Sequence, residues 1–260
     1  VQAYATNSAG TSYGGVVSFT TSPVPTVTSV SVPTNGTYIT GQNLDFTVNF
    51  SAAVTVVTTG GTPYITLTVG STEVHAAYVS GSDTTALMFR YTVATNDLDT
   101  DGIVVNADVT ANGGTIKDAI GNDATLTFTG ASVPGVKVDA TAPSISSVSP
   151  PISGTYISGQ NLDFIVGFSE PVNVDITNGI PYMALTVGSK SVHADYQSGS
   201  GTNSLVFRYV VAANDYDADG VGLTAGVTLD GGTIKDIAGN PAFLIAGPVL
   251  VANGVNVDAV

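Results

Sequence analysis

The residues best placed to do chemistry in this chain are acidic, and they come in a string that occurs twice. Asp97-Leu98-Asp99-Thr100-Asp101-Gly102 returns as Asp215-Tyr216-Asp217-Ala218-Asp219-Gly220. Alternate carboxylates on a loop turned by glycine can converge on one hard cation, and Ca2+ takes about six to eight such oxygens. Without a cation, three close carboxylates repel one another and at least one is pushed toward protonation. The string therefore predicts a calcium loop in each copy, with Asp97, Asp99 and Asp101 as ligands in the first and Asp215, Asp217 and Asp219 in the second. An EF-hand is excluded, because β-type patterning flanks the loop and its twelfth position is Asp108 in one copy and Gly226 in the other. Asp139 and Asp258 stand at the ends of the two copies. Asp139, with Glu170 as partner, is placed for a metal site between domains, whereas Asp118 and Asp236, in the strings Lys117 to Asn122 and Lys235 to Asn240, read as turn caps.

Other chemistry falls away on context. Gly10-Thr11-Ser12-Tyr13-Gly14 has the G-x-S-x-G spelling but sits in a hairpin turn with no helix to follow, so it lacks the elbow a nucleophilic serine needs. His75 and His193 occupy equivalent places on a strand, one per copy, which leaves no second imidazole for a metal site; both read as packing or surface residues. Lys117 and Lys235 stand beside Asp in a turn, a poor setting for an isopeptide bond with Asn. Carboxylates repeated in both copies suit structural ligands better than a single acid and base pair. The expectation is a protein that is not an enzyme.

These positions belong to an internal repeat. Gly36-Thr37-Tyr38-Ile39 recurs as Gly154-Thr155-Tyr156-Ile157, and Gly41 to Phe46 as Gly159 to Phe164, at an offset of 118 residues (154 − 36) that becomes 119 at Asp139 and Asp258. A period of that size is a whole small domain, and it divides the 260 residues into a hairpin over 1–22, a first repeat over 23–140 and a second over 141–260. The net charge of −14 divides equally: each repeat carries 10 acids and 3 bases, and residues 1–23 carry no charged side chain. Such a chain repels nucleic-acid phosphates and anionic membranes, and no apolar run approaches the ~20 residues that span a bilayer. Neither nucleic-acid binding nor membrane insertion is expected. The absence of Cys rules out disulfides and thiolate metal sites. The opening residues, Val1-Gln2-Ala3-Tyr4, lack an initiating Met and a signal-like run, and read as a mature or excised segment.

The elements that must position the acids are strands. Leu44, Phe46, Val48 and Phe50 alternate with polar residues, and further runs follow at 54–57, 64–69, 73–79, 86–93, 103–109 and 124–128, separated by Gly, Asn, Asp, Ser and Pro. About seven to nine short strands in each repeat predict tandem immunoglobulin-like antiparallel β-sandwiches, all-β, in an extended array joined by short Pro-bearing linkers. Residues 1–22 predict one β-hairpin, which alone is marginal and leaves its edges unpaired.

Phe168-Ser169-Glu170-Pro171-Val172, Gly179-Ile180-Pro181-Tyr182, Tyr196 to Thr202, Asp215 to Gly220, Gly231 to Asp236 and Val138 to Pro143 resemble, in this order along the fold, the tandem Ig-like repeats of giant bacterial surface adhesins. Ala3 to Gly10 and Val17 to Thr21 are similar to the last two strands of a fibronectin type III module. The resemblance implies an extracellular, cell-surface segment that projects or attaches, with neighbouring domains of the same chain, or neighbouring subunits, as its partners and a surface or a glycan as its ligand class. Ser51-Ala52-Ala53 departs from the pattern of Ser169-Glu170-Pro171, so the acid at 170 has no counterpart in the first repeat. Two other functions compete: a filament subunit that donates residues 1–22 as a strand to the next subunit, and accessory modules of a secreted polysaccharide-degrading enzyme.

Overall fold

The computed structural model describes residues 1–18, 22–223, 226–245 and 250–260. The expectation that the second hairpin strand runs on through Phe19-Thr20-Thr21 lies outside the described residues. Strands β1 (Gln2–Asn7) and β2 (Gly10–Val16) form an isolated antiparallel hairpin, exposed along its whole length. The first repeat contains β3 (Val27–Ser31), β4 (Gly36–Tyr38), β5 (Asn43–Val57), β6 (Tyr64–Val69), β7 (Thr72–Ser80), β8 (Thr84–Thr92), β9 (Leu98–Asp99), β10 (Val104–Thr110), β11 (Thr115–Lys117), β12 (Ala131–Ser132) and β13 (Val136–Asp139). The second contains β14 (Ile145–Ser149), β15 (Gly154–Tyr156), β16 (Asn161–Asp175), β17 (Tyr182–Val187), β18 (Lys190–Ser198), β19 (Thr202–Val210), β20 (Tyr216–Asp217), β21 (Gly222–Leu223), β22 (Thr233–Lys235), β23 (Leu250–Val251) and β24 (Val255–Asp258).

Each repeat is a β-sandwich. In the first, an eight-stranded sheet in the order β11-β5-β8-β7-β6-β10-β12, with β3 also on β5, faces a three-stranded sheet β4-β13-β9; the second repeat has the same two sheets, β22 pairing with β16 and β15-β24-β20 forming the smaller one. The alternation along β5 sends Leu44, Phe46, Val48 and Phe50 inward, where they meet Leu87 and Phe89 of β8 and Val136 and Val138 of β13. Each such side chain contributes about 1.5–3 kcal/mol by leaving water. Leu162, Phe164, Phe207, Val255 and Val257 repeat the arrangement in a separate core.

Two details depart from the sequence expectation. The runs 44–50 and 54–57 are one strand, β5, whose pairing with β8 skips between Asn49 and Val54 through a bulge; Ser51-Ala52-Ala53 bow out there, as Ser169-Glu170-Pro171 do in β16. A bulge re-aims side chains at a sheet edge, and it tolerates Pro171, which has no N–H to give to a ladder. The run 124–128 is not a regular strand: it makes single bridges, Thr125 to Thr26 in parallel and Thr127 to Asp108 in antiparallel, to segments at two different places along the eight-stranded sheet.

Candidate metal centre at the joint between the repeats

The repeated acidic strings do not converge. Asn96 and Gly102 take left-handed backbone angles (φ 70° and 105°), and the tight turns they make leave backbone N–H groups that need acceptors. The carboxylates supply them. Asp97 accepts from the Tyr91 hydroxyl at 2.6 Å and the Ala94 N–H at 2.8 Å, while Asp99, 4% exposed, turns inward and accepts from the N–H groups of Gly70 (2.6 Å) and Gly102 (2.7 Å). Gly70 has to be glycine, since at its φ of 59° a Cβ would lie 2.3 Å from the Leu98 carbonyl oxygen. Asp101 is exposed at the loop surface.

The second copy repeats the plan. Asp217 accepts from Gly188, Gly220 and Asp219 N–H groups, and Asp219 is exposed. Asp215, 1% exposed, accepts from Tyr209, Ala212 and the Lys190 ammonium at 2.8 Å, where the first repeat has Thr72. Burial works against the Asp215 charge, but these three donors outweigh it and hold its carboxyl below the ordinary value. Burial, then the hydrogen bonds to Asp97 and Asp215, push the hydroxyls of Tyr91 and Tyr209 up to about 12. Of the expected ligand sets Asp97/Asp99/Asp101 and Asp215/Asp217/Asp219, the structure gives Asp97, Asp99, Asp215 and Asp217 turn-closing donors and leaves Asp101 and Asp219 exposed, and neither set forms a group of three mutually close carboxylates among the described residues.

Among the described residues, one group of three acidic side chains does gather: Asp139, Glu170 and Asp236, each offering an oxygen within 4.8 Å of the others. Asp139 closes β13 of the first repeat; Glu170 rides on the bulge of β16; Asp236 follows β22. The group thus straddles the joint, and Asp139 and Glu170 are the two residues the sequence had paired there. Asp236 is also the turn cap that its string implies: its carboxylate accepts from the N–H groups of Gly239 (2.6 Å) and Asn240 (2.8 Å) and from the Asn240 side-chain amide (2.8 Å). That amide also donates to the Asp139 carbonyl at 2.7 Å, a hydrogen bond from one repeat to the other.

Asp236 Oδ1 accepts both backbone N–H groups and is saturated, while Oδ2 accepts only the Asn240 amide and keeps a lone pair for a cation. Asp236 is 3% exposed, while Asp139 and Glu170 are half-buried. Burial, and then the charges of Asp236 and Asp139, push the Glu170 carboxyl above its ordinary value. Three mutually repelling carboxylates in partial burial fit an oxygen-seeking divalent cation, with backbone carbonyls or water filling out a Ca2+ shell. In the first repeat the cap survives as Asp118 with Asn122, but Ala52 stands where Glu170 does. The acid at 170 thus stands only where a preceding Asp139 can reach it, and the member of the group that the sequence reading left out is Asp236.

The remaining marked residues have local roles. His75 stacks on Tyr64 and His193 on Tyr182, with ring centroids 3.8 and 3.7 Å apart, and Lys117 pairs with Asp123 at 2.8 Å in an exposed ion pair. Asp258 is exposed at the end of β24, opposite Tyr216.

Scans against protein families and against curated proteins return no match. Among solved structures, the chain is similar to a DUF4785 family protein of Legionella pneumophila, at 10% identity and a TM-score of 0.30, over 84% of this chain and 55% of that one. It is also similar to the FN1–FN3 domains of chicken CNTN1, at 8% identity and a TM-score of 0.27, over 97% of this chain and 77% of that one. The chain thus spans about half the length of the Legionella protein.

Proposed function

We propose that this chain is a non-enzymatic segment of a bacterial cell-surface adhesin, in which tandem β-sandwiches act as an extender stiffened by Ca2+. The observation that carries the reading is the Asp139, Glu170 and Asp236 group, because its members come from both sides of one joint. A cation held by ligands from two domains binds only when the domains are docked, so its binding free energy becomes docking free energy. Unliganded, the same carboxylates repel and loosen the joint. On this reading the chemistry is mechanical: the carboxylates hold the cation and the cation holds the joint.

The test is calorimetric titration of the chain with Ca2+. The reading expects a binding event at the joint that Glu170→Gln removes and Asp101→Asn, on the exposed loop, leaves in place. An unchanged isotherm in Glu170→Gln would remove the joint from the account.

A second reading, a filament subunit that donates residues 1–22, is supported by the hairpin itself: β1 and β2 are exposed throughout, carry no charged side chain and pair only with each other among the described residues. Deleting residues 1–18 would abolish assembly on that reading, and filaments formed by the truncated chain would refute it.

A further inference from the structure

We infer that each repeat is built to bear tension, and that a parallel strand pair closing each sandwich is its mechanical clamp. The inference rests on the reading of the chain as an array loaded end to end, and extends it from the joint to the interior of the repeats. Force enters the first repeat where Pro25 and Thr26 meet Thr125 and Ser51, and leaves it at Ala140, held by hydrogen bonds with Asn96 and Asp97. Between these two ends the chain runs along β3 and then β4 toward the exit, since Thr40, just past β4, reaches the Ala140 carbonyl. Strand β13 runs the same way and pairs with β4 in parallel, with Gly36 opposite Val136, Thr37 opposite Lys137 and Tyr38 opposite Val138. The second repeat pairs β15 with β24 in the same register, from Gly154 and Val255 to Tyr156 and Val257.

Geometry decides how such a pair fails. Hydrogen bonds between strands run across the strands, perpendicular in antiparallel pairs and slanted but evenly spaced in parallel ones. Pulling the leading end one way and the trailing end the other slides β4 along β13, so the rungs are loaded together and must yield together. Hairpins such as β6 and β7, opened from their free ends, yield one rung at a time. Strand β3 on β5 lies at the entry end of the same load path, and once it yields the load passes to the clamp.

Three features brace that pair. The leading rung is the Gly36 N–H to the Gly135 carbonyl at 2.8 Å, matched by Gly154 to Gly254 at 2.7 Å. The Tyr38 hydroxyl donates to the Thr34 carbonyl at 2.9 Å and Tyr156 to Ile152 at 2.8 Å, tying down the turn that feeds each strand. On its other side β13 pairs with β9, whose Asp99 is pinned by Gly70 and Gly102. The acidic strings thus acquire a role that needs no cation: they lock the third strand against the clamp.

Forced unfolding follows the unfolding barrier rather than equilibrium stability, so the two can be separated. The experiment is single-molecule force spectroscopy of the whole chain held by its ends, in chelator, so that the result stands apart from any calcium response at the joint. The expected wild-type trace shows two unfolding events of equal length; for residues 27–139 each is roughly 400 Å of chain at about 3.5 Å per residue, less the folded span. Gly36→Pro removes the leading donor, and no heavy atom lies within 4 Å of a Cβ added there. It should lower the force of one event and leave the other, splitting matched peaks. Val69→Ala, in the buried face of β6 and off the load path, should lower the melting temperature and leave the forces matched. If Gly36→Pro does not fold, a Thr62→Cys/Val79→Cys variant with Gly36 intact, pulled through its two cysteines so that β6 unzips from β7, should yield at lower force than the chain pulled by its ends. Matched peaks in Gly36→Pro, a force loss in Val69→Ala as large as in Gly36→Pro, or equal forces in both pulling directions would overturn the clamp.

Discussion

Replacing Glu170 with Gln should have opposite effects with and without calcium. The three carboxylates lie within 4.8 Å of one another. At that distance and an effective dielectric of about 20, each like-charge pair costs about 3.5 kcal/mol, and the half-exposure of Asp139 and Glu170 cuts this to on the order of 1 kcal/mol. Because the folded state raises the Glu170 pKa, the group favours the folded joint while it is protonated. That contribution is present below its unfolded pKa and is lost as pH rises through the raised folded value. At neutral pH in chelator, Glu170→Gln therefore relieves repulsion and should raise the melting temperature of the second repeat by a few degrees. In calcium the sign reverses. A cation at 100 times its dissociation constant stabilises by about 2.7 kcal/mol, worth on the order of 10 °C for a domain of this size, and the variant forfeits it. Differential scanning calorimetry with EDTA and with CaCl2 reads both arms. A variant that melts lower than wild type in EDTA, or that keeps the wild-type calcium shift, would refute the reasoning.

Other outcomes follow from single contacts. Asp99→Asn puts an amide where the Gly70 and Gly102 N–H groups need acceptors, and should cost about 2 kcal/mol of stability without altering the calcium response, as read by chemical denaturation. Phe207→Ala should cost about 3–5 kcal/mol and lower the melting transition of the second repeat alone, because its core is separate. Acid should destabilise through the carboxyls whose folded pKa values are lowered, Asp163 by its hydrogen-bonded Arg208 partner and Asp215 by Lys190, Tyr209 and Ala212 in spite of burial. Their contribution is full above the unfolded value near 4 and lost as pH falls through the folded ones; a pH series of denaturation midpoints that stays flat below pH 4 would contradict it.

The two-residue alternation from Leu44 to Phe50 and its copy from Leu162 to Phe168 made the sandwich legible, because a half-buried strand writes its period directly into the sequence. The 118-residue offset repeats that pattern, and each copy gathers its own buried cluster. The bulge at 51–53 was invisible as a bulge: a polar Ser between two apolar runs looks like a turn until pairing with β8 shows a skipped register. Which loops share an end of a sandwich depends on sheet topology, and spacing along the chain does not encode it. Hence Asp139 and Glu170 could be paired from their places in the repeat, whereas Asp236 entered only with the fold. The acidic strings are ambiguous for a physical reason. Carboxylates spaced two apart serve a cation or the unpaired N–H groups of a tight turn equally well, and here Gly70, Gly102, Gly188 and Gly220 claim them.

The central claim, that calcium stiffens the joint, is met most directly by small-angle X-ray scattering of the whole chain with calcium and with EDTA. The account predicts a maximum dimension and radius of gyration that change on chelation for wild type, and a Glu170→Gln variant whose scattering is the same in both buffers. Identical wild-type curves with and without calcium would contradict it.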